Sequence, residues 1–198
     1  MTTIDYYFTT VSPYAYLTGD RIERIAEKHG ARLAYRPVDL GKVFPTTGGV
    51  PLAKRAPARR AYRLQELRRW SQALEMPITL EPAHFPVPPE ASSLAICAAI
   101  RLGADAGALA RYYLAACWVE DRDISDPGVV AAGLEAVGLE GHAVTEADRE
   151  MFDANAEAAL AAGVFGAPSF VVGDELFWGQ DRLDMLDLFL SGKVRGAA

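Results

Sequence analysis

Apolar and polar positions alternate through Ile4-Asp5-Tyr6-Tyr7-Phe8, a stretch of aromatic and β-branched side chains, and the alternation predicts a strand. From Tyr14 to His29 the period changes. Tyr16, Leu17, Ile22, Ile25 and Ala26 recur every three to four residues, the spacing of one helix face, and Gly30 follows as a stop. Alternation returns in RLAYRPV, residues 32–38, as a second strand. A strand, a helix and a strand leave room for a right-handed parallel crossover.

The next segment, Asp39 to Pro51, reads DLGKVFPTTGGVP, and its glycines and prolines predict a loop of a length that often carries function. Helical patterns then prevail to Gly163, interrupted by proline-rich joints at residues 82–90 and 124–128. Asp126-Pro127 sets a cap before a first-turn proline, and Thr145 with Asp148 makes a partial capping box. The closing segment changes character again. APSFVV (167–172) and ELFW (175–178) read as strands joined by a tight turn at Gly173-Asp174. Leu183, Leu186, Leu188 and Leu190 then mark a last helix. The expected fold is α/β, one domain built from both chain ends (1–40 and 164–198) around an all-α-helical insertion (41–163).

Composition removes several function classes. A formal net charge of -6 argues against nucleic-acid binding, and no run approaches the ~20 apolar residues of a membrane span. MTTIDYYF lacks the basic and apolar regions of a secretory signal, so a cytoplasmic location is expected. Cys97 and Cys117 lie far apart in Ala/Leu-rich helical patterns and read as packing residues. His29, His84 and His142 share no helical spacing with acidic partners, so no metal site is expected.

Four stretches could carry chemistry. VSPYAYL (11–17) sits in a strand-to-helix turn, where thioredoxin-like proteins keep a Cys-x-x-Cys pair; here Ser12-Pro13-Tyr14-Ala15 has no sulfur. Ser12 before Pro13 is first of all a helix N-cap. The same hydroxyl at a helix start can also donate to a bound thiolate and lower that thiol's pKa. In GAPSF (166–170), a cis bond before Pro168 close to Ser12 would turn the Ala167 backbone into the same cleft, able to pair with an extended peptide-like ligand. In WGQDR (178–182), Asp181 is either a cap for the last helix or an acceptor for an ammonium. The run PLAKRAPARRAYRLQELRRW (51–70) sets Lys54, Arg55, Arg59, Arg60, Arg63, Arg68 and Arg69 against Glu66. It is a solvated face or a positive field suited to a small carboxylate-bearing ligand.

Taken in order, S-P-Y-x-Y-L, P-V-x-L-G-x-V-F-x-x-T-G, G-V-F-G-A-P-S-F and F-W-G-Q-D-R-L resemble the 2-hydroxychromene-2-carboxylate isomerase family over residues 4–190. That family is thioredoxin-like, glutathione-dependent and related to the kappa-class glutathione transferases. The resemblance implies an isomerase in aromatic (naphthalene-type) degradation, working as a homodimer on a small aromatic carboxylate. It implies Ser12 as the catalytic residue holding the glutathione thiolate, Ala167 and Pro168 at the cysteinyl unit, and Gln180, Asp181 and Arg182 at the γ-glutamyl end. Lys42, Gly49 and His84 fall on the substrate side, with Gly49 standing where the family often has asparagine. A kappa-type transferase or peroxidase using the same serine, and a non-catalytic thioredoxin-like binding module, are the alternatives.

Overall fold

The computed structural model describes residues 1–196. Its sheet has four strands in the order β2-β1-β3-β4, with β1 Thr3–Phe8, β2 Arg32–Pro37, β3 Ser169–Val172 and β4 Glu175–Trp178. β1 and β2 run parallel from Thr3 opposite Arg32 to Phe8 opposite Pro37, while β3 lies antiparallel to both β1 and β4. The two chain ends therefore build one sheet, as expected.

Alternation along β1 separates two cores. Ile4, Tyr6 and Phe8 point to one face, where Tyr6 stacks on Phe8 and Phe170 with ring centroids 4.8 and 5.1 Å apart. Tyr7 points to the other face and packs with Val38, Val43, Ala156, Ala159, Val164 and Val171. A sheet covered on both faces explains why β1 carries so few polar side chains.

Between β1 and β2 lie two helices rather than one: α1 Pro13–Tyr16 and α2 Arg21–Lys28. The expected single helix is broken at Gly19, whose φ of +57° is a left-handed conformation that glycine adopts without steric cost. Residues 39–51 also depart from expectation. Instead of a continuous loop they contain α3 Leu40–Thr47, started by the Asp39 carboxylate accepting from Gly41 N–H at 2.7 Å and ended at left-handed Gly48. Val43, fully buried against the second core, anchors this helix despite Pro45 within it.

The remaining helices are α4 Pro57–Ala73, α5 Glu90–Leu102, α6 Ala106–Trp118, α7 Pro127–Ala136, α8 Glu146–Ala161 and α9 Leu183–Leu190. α5 is the central one, buried continuously from Ser92 to Ala99. α7 starts as expected, with Asp126 accepting from Gly128 and Val129 N–H. The capping box of α8 is complete. No helix among the described residues is long and apolar enough to cross a membrane.

Candidate active site

After β1 the chain turns tightly, with Ser12 N–H donating to Thr9 O at 3.0 Å. The Thr10 and Ser92 hydroxyls, 2.8 Å apart and both buried, tie this turn to α5. Ser12 has the extended backbone of an N-cap, and its Oγ accepts from Ala15 N–H at 3.2 Å. The same hydroxyl donates to Ala167 O at 3.3 Å, across 155 positions of sequence. α1 is a single turn broken from α2, so a long helix dipole does not act at Ser12. The local electrostatics rest on the hydroxyl itself and its neighbours.

Ala167–Pro168 is a cis peptide. Pro168 O accepts from Gly179 N–H at 2.9 Å, which brings the segment after β4 beside the cis bond. Gly179, at φ +108°, leads into a 3-10 turn over Gln180–Arg182. Gln180 is buried; its Oε1 accepts from Arg21 Nη2, while its Nε2 has no partner among the described residues. Asp181 and Arg182 are exposed and pair with each other at 3.1 Å. Asp181 does not cap the last helix, because it lies inside the 3-10 turn and Arg182 takes the cap position.

Ser12, Ala167, Pro168 and Gln180 are thus drawn together at one end of the sheet. Lys42, Gly49 and His84 have no described contact with that group. Lys42 sits exposed on α3 and pairs with Asp153 on α8 at 2.6 Å, a hydrogen bond that raises its pKa above the usual lysine value. Gly49 lies against the Phe44 ring, which occupies the space a Cβ would need. A side chain there, such as the asparagine the family resemblance leads one to expect, would have to displace that ring. His84 is exposed, in the loop that precedes cis Phe85–Pro86.

Tyr14, two residues after Ser12, and Arg63 in the basic run had no individual role on sequence alone. Burial raises the pKa of the Tyr14 phenol, and the Arg63 guanidinium on α4 opposes that shift. Arg63 lies 5.6 Å from the ring centroids of both Phe85 and Trp118. Within the basic run its surroundings differ from those of Arg69, which pairs with Glu66 at 2.5 Å, and of Arg55, which donates to Val50 O. Cys97 and Cys117 are free and buried, and burial pushes both thiols up to about 12, far from a reactive thiolate. No group of metal-ligating side chains occurs among the described residues.

The chain resembles known proteins over nearly its whole length. A family model described as a DSBA-like thioredoxin domain matches residues 3–191. The chain is 32% identical to the 2-hydroxychromene-2-carboxylate isomerase of Sphingobium xenophagum, over 95% of this chain and 97% of that protein. It is 29% identical to the enzyme of the same name from Pseudomonas sp. strain C18, over 96% of this chain and 90% of that protein. A solved structure of a 2-hydroxychromene-2-carboxylate isomerase superposes with a TM-score of 0.74 at 28% identity, covering 96% of this chain and 95% of the other. The chain belongs to the DSBA-like thioredoxin family and, within it, to the 2-hydroxychromene-2-carboxylate isomerases, and it is an enzyme of the isomerase class.

Proposed function

We propose that the chain is a glutathione-dependent isomerase that interconverts 2-hydroxychromene-2-carboxylate and trans-o-hydroxybenzylidenepyruvate in aromatic degradation, in the cytoplasm and as a homodimer. The observation that carries this reading is the Ser12 hydroxyl facing the cis Ala167–Pro168 unit in a turn without cysteine. Glutathione, when bound, supplies a thiolate that adds reversibly to an unsaturated carbon, frees a former double bond to rotate, and leaves unchanged.

The protein's part is to favour the thiolate and hold the peptide. Ser12 Oγ turns its proton from Ala167 O toward the sulfur, and a hydrogen bond to the charged form lowers a pKa. The bond it gives up is long, at 3.3 Å, so the exchange costs little. Ala167 O is then free to accept from a peptide N–H, as in the pairing of an added strand. The buried, unpartnered Gln180 Nε2 suits a γ-glutamyl carboxylate, since an unsatisfied donor gains most from an acceptor. Exposed Asp181 suits the ammonium beside it, and Arg182 flanks the same end. The family resemblance puts Lys42, Gly49 and His84 on the substrate side, where Lys42 would exchange Asp153 for a substrate oxygen.

The test follows the ultraviolet spectrum of 2-hydroxychromene-2-carboxylate with enzyme, with and without catalytic glutathione. Acceleration that requires glutathione and leaves the thiol pool intact is expected. Consumption of the thiol would instead mark a kappa-type transferase, and no acceleration would remove this substrate altogether.

A further inference from the structure

Arg63 is half-buried on α4, and burial depresses its pKa. No carboxylate pairs with it among the described residues; its charge rests against the faces of Phe85 and Trp118. Those rings are themselves in contact, with centroids 4.8 Å apart. Trp118 is fully buried, yet its Nε1 has no hydrogen-bond acceptor. The cluster therefore holds a cation and a neutral N–H donor and lacks an acceptor for either. Tyr14, which feels the Arg63 charge, lies on the one-turn helix capped by Ser12.

A guanidinium and an indole N–H beside two aromatic rings, tilted at 51° to each other, match one kind of ligand: a planar aromatic acid. Its carboxylate takes the forked donors of arginine, and its ring finds apolar and aromatic surface. We propose that Arg63 is the anchor for the substrate's carboxylate, with Trp118 Nε1–H as its second donor and Phe85 as the wall for the aromatic ring. The proposal deepens the isomerase reading above and rests on it for the substrate. Binding at the cluster is measurable without catalysis.

Two measurements test it. The first titrates ¹⁵N-labelled protein with phenylpyruvate, an aromatic 2-oxo acid, and with phenylacetone, which lacks the carboxylate. Trp118→Phe identifies the indole resonance among those of Trp70, Trp118 and Trp178. Phenylpyruvate shifts the Trp118 N–H, phenylacetone does not, and Arg63→Met abolishes the shift. No shift, an equal shift by phenylacetone, or a shift that persists in Arg63→Met would overturn the anchor.

The second compares the chromene acid with its methyl ester. Arg63→Met raises KM for the acid by about 10- to 100-fold with a smaller change in kcat, and the acid-over-ester preference collapses; Arg63→Lys recovers part of it. A structural role alone would weaken both substrates alike. If phenylpyruvate binding depends on Arg63 but the chromene is not isomerised, the anchor stands and the substrate assignment fails. If isomerisation proceeds and Arg63→Met leaves KM unchanged, the assignment stands and the anchor fails.

Discussion

Ser12 uses one oxygen twice. It caps α1 by accepting from Ala15 N–H, and it donates to Ala167 O at the site proposed for the thiol. The two roles separate in Ser12→Ala. Loss of the cap lowers stability by about 1 kcal/mol, visible as a small drop in melting temperature. Loss of the donor reduces the glutathione-dependent rate by about 10²- to 10³-fold, as for other single donors aimed at a developing anion. It also moves the acidic limb of the pH–rate profile upward, because the bound thiol then ionises at higher pH. A profile that keeps its limb in Ser12→Ala would take Ser12 away from the sulfur. Ser12, Ala167 and Gln180 could be picked out in the sequence because each lies in a short motif with its own local reason. Arg63 could not. Its run holds seven basic residues that look alike, and what distinguishes it comes from Phe85 and Trp118, on two other segments.

Elements were readable where local chemistry and burial agree. The strands at 4–8 and 32–38 and the caps at Asp126 and Thr145 fall where alternation and capping residues place them. α3 is not legible because glycine and proline outweigh a buried Val43 whose partners lie on β1, α8 and β3. The α1–α2 break was missed because Gly19 sits between two segments with the same apolar period. The capping box of α8 goes further than its two residues. Asp148 is fully buried, accepts from Thr145 N–H and Oγ1–H at 2.8 Å each, and takes two bonds from Arg101 on α5. Burial raises the carboxyl's pKa, but these donors outweigh burial and leave it below the ordinary aspartate value. Its stabilisation is therefore complete above the unfolded pKa of about 3.9 and is lost as pH falls through the lower folded value. Asp148→Ala, which strands Arg101 beside a half-empty site, costs about 3 kcal/mol near neutrality, on the order of 6–12 °C in melting temperature. The gap between wild type and variant narrows in acid. A gap that stays constant down to pH 3 would mean that the carboxylate's charge contributes nothing.

At the scale of the whole molecule, the sheet order β2-β1-β3-β4 brings Ser12 to Ala167 by pairing β1 with β3 across nearly the full chain. One continuous hydrophobic cluster runs from Ile4, Phe8 and Phe170 in the sheet to Leu109, Tyr113 and Trp118 on α6. Packing shared in this way couples the helical segments to the sheet, so a single cooperative unfolding transition is expected. Fluorescence of Trp118, read with Trp70 and Trp178 replaced by phenylalanine, and the circular dichroism of the whole chain should share one midpoint. Leu109→Ala, at a fully buried position on α6, should lower that common midpoint through a cost of about 2–5 kcal/mol. Glutathione at 100 times its dissociation constant should raise it by about 2.7 kcal/mol, roughly 5–11 °C for a chain of this size. The proposed thiol site lies at the sheet end, and Leu109 lies in the helices. Two separable units would give two transitions, with glutathione moving one and Leu109→Ala the other. A shared shift in wild type and variant would show that binding at Ser12 draws on stability stored in α6, and that the helical segments support the site through the core as well as bordering it.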